Sequence, residues 1–177
     1  MNYDLRDEYR WVCLVASLIC VHITFTGFWA GGKRKKTFTP EFMEQNFKTM
    51  HENQLSGTSY NKEGYPDMGS GRYSLLLPYK EWYNFNNAQR VHYNYLESVT
   101  VVVTWLLIGG LRYEWIAVGA GSVFLIARLI YSFGYASKGP EGRVIGFVIQ
   151  FIASFLLFIL AILSPLKMAG VYTDSYP

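Results

Sequence analysis

Charged residues are scarce in this chain of 177 residues, and their scarcity argues against a soluble enzyme. Asp, Glu, Lys and Arg together make up 16% of the sequence, against roughly 25% in soluble domains. Apolar residues reach 51% and aromatic residues 18%, and the apolar residues are gathered in long runs. We therefore expect a membrane protein. The net charge of +3 comes without a basic face that carries interleaved aromatic residues, so we expect no nucleic-acid partner.

Cysteine pairs and metal-binding motifs are also lacking. Cys13 and Cys20 both lie in the first apolar run, where a helix would hold them about 10 Å apart. That distance exceeds the limit of about 7 Å between the Cα atoms of a disulfide. The three histidines show no zinc-ligand spacing, and neither an HExxH motif nor a Gly-rich phosphate loop occurs. We expect no disulfide and no metal.

Three apolar runs have the length of membrane-spanning helices, and a fourth reaches it only together with polar residues that precede it. A helix needs about 20 largely apolar residues to cross the hydrocarbon core of a bilayer. We predict an all-α membrane protein whose single domain is a bundle of four transmembrane helices, at about residues 11–31, 88–111, 115–136 and 144–165. The first two spans are separated by a long extramembrane insertion, at about residues 37–84, which far exceeds an ordinary helix connection.

The second span is unusual because its uncharged part is short. Residues 98–111 would cover only about 21 Å as a helix, so the span has to begin earlier and carry polar side chains with it. Arg90, Asn94 and Glu97 follow one another at i, i+4 and i+7, which places them on one stripe of a helix. Ionisable residues inside a membrane indicate a functional site by default.

A second polar stripe is predicted on the third span. Arg128, Tyr131 and Tyr135 are spaced at i, i+3 and i+7, and Arg143 follows at the start of the fourth span. Both stripes lie toward the same membrane face, where they can form a pocket for a ligand that carries both charges. The alternative is that these residues form internal pairs that fix the register of the helices.

Two motifs in these spans resemble those of a known family. The segment Phe85–Glu97 closely resembles the second-helix signature of the membrane-associated eicosanoid and glutathione metabolism (MAPEG) family, and Ala127–Tyr135 resembles its third-helix motif. Arg34 and the residues that follow it are similar to the end of the family's first helix. Within the family, the likeness is closest to the type-3 microsomal glutathione transferases.

The resemblance implies a homotrimer that binds glutathione between neighbouring subunits, with no metal. It implies that Arg143 is the catalytic group, because a nearby guanidinium lowers the pKa of a thiol and stabilises the thiolate. Carboxylates suit arginine and an ammonium suits glutamate. The glutathione-binding residues expected on these grounds are Arg90, Asn94, Glu97, Tyr131, Tyr135, Arg128 and Arg34. Whether Arg34, Lys35 or Lys36 meets the ligand stays open.

Two functions remain in competition. The first is a glutathione transferase or glutathione peroxidase that acts on lipophilic electrophiles reached from the membrane lipid. The second is a catalytically dispensable accessory subunit of a larger membrane complex, for example a mitochondrial respiratory complex, attached through the insertion at 37–84. Met43, Phe47 and Met50 are the expected anchors for such a partner. Either function places the protein in a mitochondrial or endoplasmic reticulum membrane.

Overall fold

The structure, a computed structural model of the chain, describes residues 7–171, and every regular element among them is helical. The two shortest α-helices are joined by a π-helical segment, Glu44–Lys48. A 3₁₀ segment lies before the helix Tyr79–Gly109, at Ser74–Leu76, and another lies before the last helix, at Gly139–Arg143. The α-helices are α1 (Tyr9–Thr37), α2 (Pro40–Met43), α3 (Thr49–Gln54), α4 (Tyr79–Gly109), α5 (Glu114–Lys138) and α6 (Val144–Met168). The all-α class expected from the sequence is confirmed.

Among residues 7–171, two helical stretches are long and apolar enough to cross a membrane. The first is α1, and the second is a continuous stretch of 55 residues, Glu114–Met168. Because α5 and α6 both lie in the second stretch and pack against each other, it is a helical hairpin. The count of four spans and their limits stay predictions. α4 has the length to cross a bilayer but begins at Tyr79, inside the region predicted to be the insertion.

The chain divides into two compact units, which are described separately. Among the described residues, the first unit comprises residues 7–24 and 94–171, and the second unit comprises Phe25–Tyr93. The first unit is held together by apolar side chains from each of its long helices. They form one cluster in which Val12, Ile19, Leu106, Phe124 and Leu157 are at most 1% exposed.

Glycines allow α5 and α6 to turn and to approach closely. α5 ends at Gly139, whose φ of 70° lies in the region that favours glycine. A Cβ atom at Gly146 would lie 2.7 Å from the carbonyl oxygen of Ala127, so only glycine permits this approach without a shift. The hairpin therefore brings the start of α6, with Arg143, against the end of α5.

The second unit has an apolar core of its own, built from the insertion and from the first turns of α4. Five side chains from these segments are at most 9% exposed and form one cluster: Phe38, Met43, Phe47, Leu77 and Phe85. α2 begins at Pro40, where the side chain of Thr39 caps the helix by accepting a hydrogen bond from the Phe42 N–H at 3.2 Å. The insertion is therefore a folded part of the second unit.

This core corrects the expectation that Met43, Phe47 and Met50 anchor a partner. Met43 is 0% exposed and Phe47 is 3% exposed, and Met50 packs against the same cluster. The expectation is wrong for Met43 and Phe47, because Phe38 and Phe85, which lie before and after the insertion's turns, cover them within the same chain.

A buried carboxylate organises the turn-rich part of the insertion. Asp67 is 5% exposed and accepts hydrogen bonds from the backbone N–H groups of Gly69, Gly71 and Ser74 at 2.8, 3.0 and 2.7 Å. The hydroxyl of Ser74 donates a fourth, at 2.7 Å. Burial alone would raise the pKa of the Asp67 carboxyl, but these hydrogen bonds together hold it below its usual value.

We expect Asp67→Asn to lower the free energy of unfolding by about 2–3 kcal/mol, because the new amide turns two donors toward N–H groups that need an acceptor. Folding lowers the pKa of the Asp67 carboxyl. The stability that this carboxylate contributes is therefore present above its ordinary pKa of about 3.9, and it is lost as the pH falls through the pKa of the folded state. Thermal unfolding in detergent, at neutral and at falling pH, measures both effects. The control is Glu44→Gln, an exposed carboxylate paired with Lys48, which we expect to leave the midpoint unchanged. Equal losses in the two variants would contradict the role of Asp67.

Candidate functional site

A polar cavity of about 430 Å³ lies in the first unit between α4, α5 and the start of α6. Its lining carries both signs of charge together with amide and hydroxyl groups. The lining residues are Asn94, Glu97, Ser98, Tyr131, Arg143, Val144, Phe147 and Gln150. The structure thus brings together Asn94 and Glu97 from the first predicted stripe with Tyr131 and Arg143 from the second.

A short hydrogen bond joins the two stripes in this cavity. The side-chain amide of Asn94 donates through Nδ2 to the hydroxyl oxygen of Tyr131 at 2.6 Å. Because this oxygen accepts, the hydroxyl proton of Tyr131 is left to donate to another group. The pair can therefore offer a ligand one O–H donor from Tyr131 and one acceptor, the amide oxygen of Asn94.

Arg128 lies behind the cavity wall and is 0% exposed. Its guanidinium carbon is 4.1 Å from the centre of the Tyr95 ring and 4.4 Å from that of Tyr131, distances at which a cation is attracted to a ring face. Its Nη1 donates to Oε1 of Gln150 at 3.0 Å. Arg128 therefore positions Tyr131 and Gln150, which line the cavity, and does so from outside it.

Tyr135 packs beside Arg143, the arginine that follows the second stripe in the sequence. Tyr135 is 5% exposed, and the guanidinium carbon of Arg143 lies 5.5 Å from the centre of its ring. The rings of Tyr135 and Tyr131 are 5.8 Å apart. Arg143, which is half-buried, thus has an aromatic ring on one side and the cavity on the other.

The remaining two predicted residues, Arg90 and Arg34, belong to the second unit. Arg90 is exposed and lines a separate cavity of about 200 Å³ together with Ser70 and Gln89. Arg34 is 6% exposed, and its guanidinium carbon lies 3.7 Å from the centre of the Tyr65 ring. Its Nε and Nη1 atoms are buried without a hydrogen-bond partner among residues 7–171. Neither arginine is among the residues that line the polar cavity of the first unit.

An apolar groove of about 490 Å³ adjoins the polar cavity in the first unit. The two share four lining residues, which are Glu97, Ser98, Phe147 and Gln150. The rest of the groove is almost entirely aromatic and aliphatic, with Val101, Val102, Trp105, Phe124, Phe151, Ser154, Phe155 and Phe158. The arrangement can therefore hold a polar, charged molecule directly beside an apolar one.

Sequence reasoning missed three of the four residues that form this shared wall, which are Ser98, Phe147 and Gln150. Phe147 and Gln150 follow Arg143 at i+4 and i+7 on α6, and this spacing places all three on one face of the helix. That periodicity was the available signal. Among the described residues, no group of three or more His, Cys, Asp or Glu side chains could hold a metal ion.

Comparisons with known proteins give two matches. The sequence model of a family described as the MAPEG family matches residues 12–163, a range that includes every residue lining the polar cavity. An uncharacterized protein from Synechocystis sp. is 33% identical over 82 residues, which are 46% of this chain and 59% of that relative. The matched part is less than two thirds of the relative's length.

Proposed function

The chain belongs to the MAPEG family, and from this premise we propose that it is a glutathione transferase acting on lipophilic electrophiles. Family membership and the two long apolar stretches make it an integral membrane protein, and the family indicates a function of the glutathione transferase type. The motifs Phe85–Glu97 and Ala127–Tyr135 support a place beside the type-3 microsomal enzymes. Its membrane is that of the endoplasmic reticulum or the mitochondrion.

The observation that carries this proposal is the charged cavity beside the apolar groove. Glutathione has two carboxylates, one ammonium and one thiol. The carboxylate of Glu97 suits the ammonium, while the Tyr131 hydroxyl and the Asn94 amide suit carboxylate or peptide groups. Tyr135 and Arg128 act by holding Arg143 and Tyr131 in place.

Arg143 is the catalytic residue in this proposal. A guanidinium near the thiol of glutathione favours the thiolate, which is the nucleophile. The thiolate attacks an electrophilic carbon, and that carbon's bond to the leaving group breaks. In the peroxidase version of the same function, the thiolate attacks the terminal oxygen of a lipid hydroperoxide, the O–O bond breaks and the lipid leaves as an alcohol. A second glutathione then converts the sulfenic acid formed into glutathione disulfide and water. The acceptor's hydrocarbon part occupies the groove with Trp105 and Phe155, so its reactive end meets the polar cavity at the shared wall.

Arg90 and Arg34 extend the glutathione site in a homotrimer, where a neighbouring subunit supplies part of it. Arg90 is exposed and can take a carboxylate through two parallel hydrogen bonds. Of the three basic residues that end α1, Arg34 is favoured because two of its N–H groups lack partners among the described residues. Lys35 is instead paired with Glu63 at 3.0 Å.

Calorimetry on the detergent-solubilised protein tests glutathione binding. We expect heat at millimolar glutathione, and we expect Glu97→Gln and Arg90→Ala each to weaken binding by about 2–3 kcal/mol, the scale of a lost hydrogen bond to a charged group. Glu81→Gln is the matched control, because Glu81 is an exposed carboxylate at the beginning of the same helix, α4. No detectable heat with the unsubstituted protein would reject the proposed function.

Ultraviolet absorbance of the bound thiolate tests the role of Arg143. Free glutathione thiol, with a pKa near 8.5, is mostly protonated at neutral pH, so thiolate absorbance at that pH reports activation by the protein. We expect Arg143→Ala to abolish this absorbance while glutathione affinity changes little. Lys138→Ala, at the exposed end of α5, is the control. If Arg143→Ala retains the full absorbance, Arg143 is not the activating group.

The accessory-subunit function is favoured by one observation in the second unit. Leu75, Leu76 and Tyr79, at the end of the insertion, are 81%, 54% and 74% exposed. Apolar side chains such as these are more stable when a protein partner covers them than when they are exposed to water. Under this second proposal the protein docks on a larger membrane complex through these three residues, and glutathione chemistry is dispensable.

Sizing after extraction from the native membrane in mild detergent separates the two functions. The accessory function predicts a large complex from which the double variant Leu75→Ser/Leu76→Ser is released, because it loses its apolar contact. Leu55→Ser, also in the insertion and 55% exposed, is the matched control and should stay bound. A homotrimer without other proteins would reject the accessory function and agree with the transferase.

A further inference from the structure

Gln150 stands where the polar cavity and the apolar groove adjoin. It lines both of them and lies seven residues after Arg143 on the same face of α6. A group at this position meets the reactive end of an acceptor whose hydrocarbon part fills the groove.

The orientation of the Gln150 amide is set by Arg128. A guanidinium has hydrogen-bond donors and no acceptor, so the amide atom 3.0 Å from Arg128 Nη1 has to be the oxygen, Oε1. Arg128 is held in turn between the rings of Tyr95 and Tyr131. The nitrogen of the same amide, Nε2, therefore points away from Arg128, and its N–H groups are left to donate hydrogen bonds to a molecule in the cavities.

We infer that Nε2 of Gln150 donates a hydrogen bond to the electrophile's oxygen, on which negative charge develops during the reaction. Gln150 is then a catalytic residue that favours electrophiles whose leaving atom is an oxygen that stays in the product, such as epoxides, over alkyl halides. This inference rests on the proposed function and assigns one residue of that same site its role toward the acceptor.

The two acceptor classes differ in what their reaction leaves behind. With an epoxide, the thiolate sulfur bonds to a ring carbon while that carbon's bond to oxygen breaks, and the electron pair remains on the oxygen. Gln150 stabilises this oxyanion until water protonates it, and the hydroxide formed combines with the proton that the thiol released on ionising. With an alkyl iodide, the sulfur–carbon bond forms as the carbon–iodine bond breaks, and iodide leaves without producing an oxyanion.

Two substitutions test the inference in the full-length protein in detergent. Gln150→Glu keeps an oxygen for Arg128 but removes the N–H donors, whereas Gln150→Met removes both. The measurement is kcat/KM with glutathione for a long-chain terminal epoxide and for the alkyl iodide of the same chain length. Removing one donor to an oxyanion commonly costs 10²–10³-fold, so we expect the epoxide-to-iodide ratio of kcat/KM to fall roughly tenfold or more in both variants.

The ratio separates an effect on the acceptor from an effect on glutathione. A carboxylate at position 150 that disturbed the thiolate would slow both reactions equally and leave the ratio unchanged. Gln45→Glu, the same chemical change at an exposed position of the second unit, is the matched control and should leave the ratio unchanged.

The outcomes distinguish this inference from the function on which it rests. An unchanged ratio in Gln150→Glu, with glutathione bound by calorimetry and both acceptors conjugated, overturns the role of Gln150 and leaves the transferase standing. Absence of glutathione binding or of any conjugation by the unsubstituted protein overturns both.

Discussion

A guanidinium buried among the apolar helices of the first unit is the constraint on which the candidate site depends. Arg128 is 0% exposed, and removing a cation from water is costly unless other groups replace its hydration. The ring faces of Tyr95 and Tyr131 and the amide oxygen of Gln150 do so. Because Tyr131 and Gln150 also line the cavity, the solvation of Arg128 positions the polar wall that a ligand meets.

The cavity and the groove form one site because they share a wall. Glu97 and Gln150 belong to both, so a charged co-substrate and an apolar acceptor can react directly, without moving between distant sites. The close approach of α5 and α6 at Gly146 and the turn at Gly139 make this possible. They place Arg143 beside Tyr135, at the edge of the cavity.

The second unit shows a different way of compensating a buried charge. The turns around Asp67 have few large apolar side chains, and the carboxylate accepts four hydrogen bonds from the backbone and from Ser74. Asp67 thereby organises turns that apolar burial could not order alone. The neighbouring cluster around Phe38 and Phe85 supplies the apolar burial, so the insertion is folded within its own chain.

The local sequence was sufficient to predict the all-α class from its apolar runs and the family from the resemblance of two motifs, and helical spacing pointed to four of the cavity's residues. Helical spacing is a local property, so i, i+4 and i+7 place Asn94 and Glu97 on one face whatever surrounds them. The same spacing could not show that Arg128 lies behind the wall, that Met43 and Phe47 point into their own chain, or how the amide of Gln150 is turned. These outcomes depend on contacts between residues far apart in the sequence, such as Arg128 with Tyr95 and Phe47 with Tyr73. Only the packing of the helices decides which distant side chain covers a buried group or satisfies its charge.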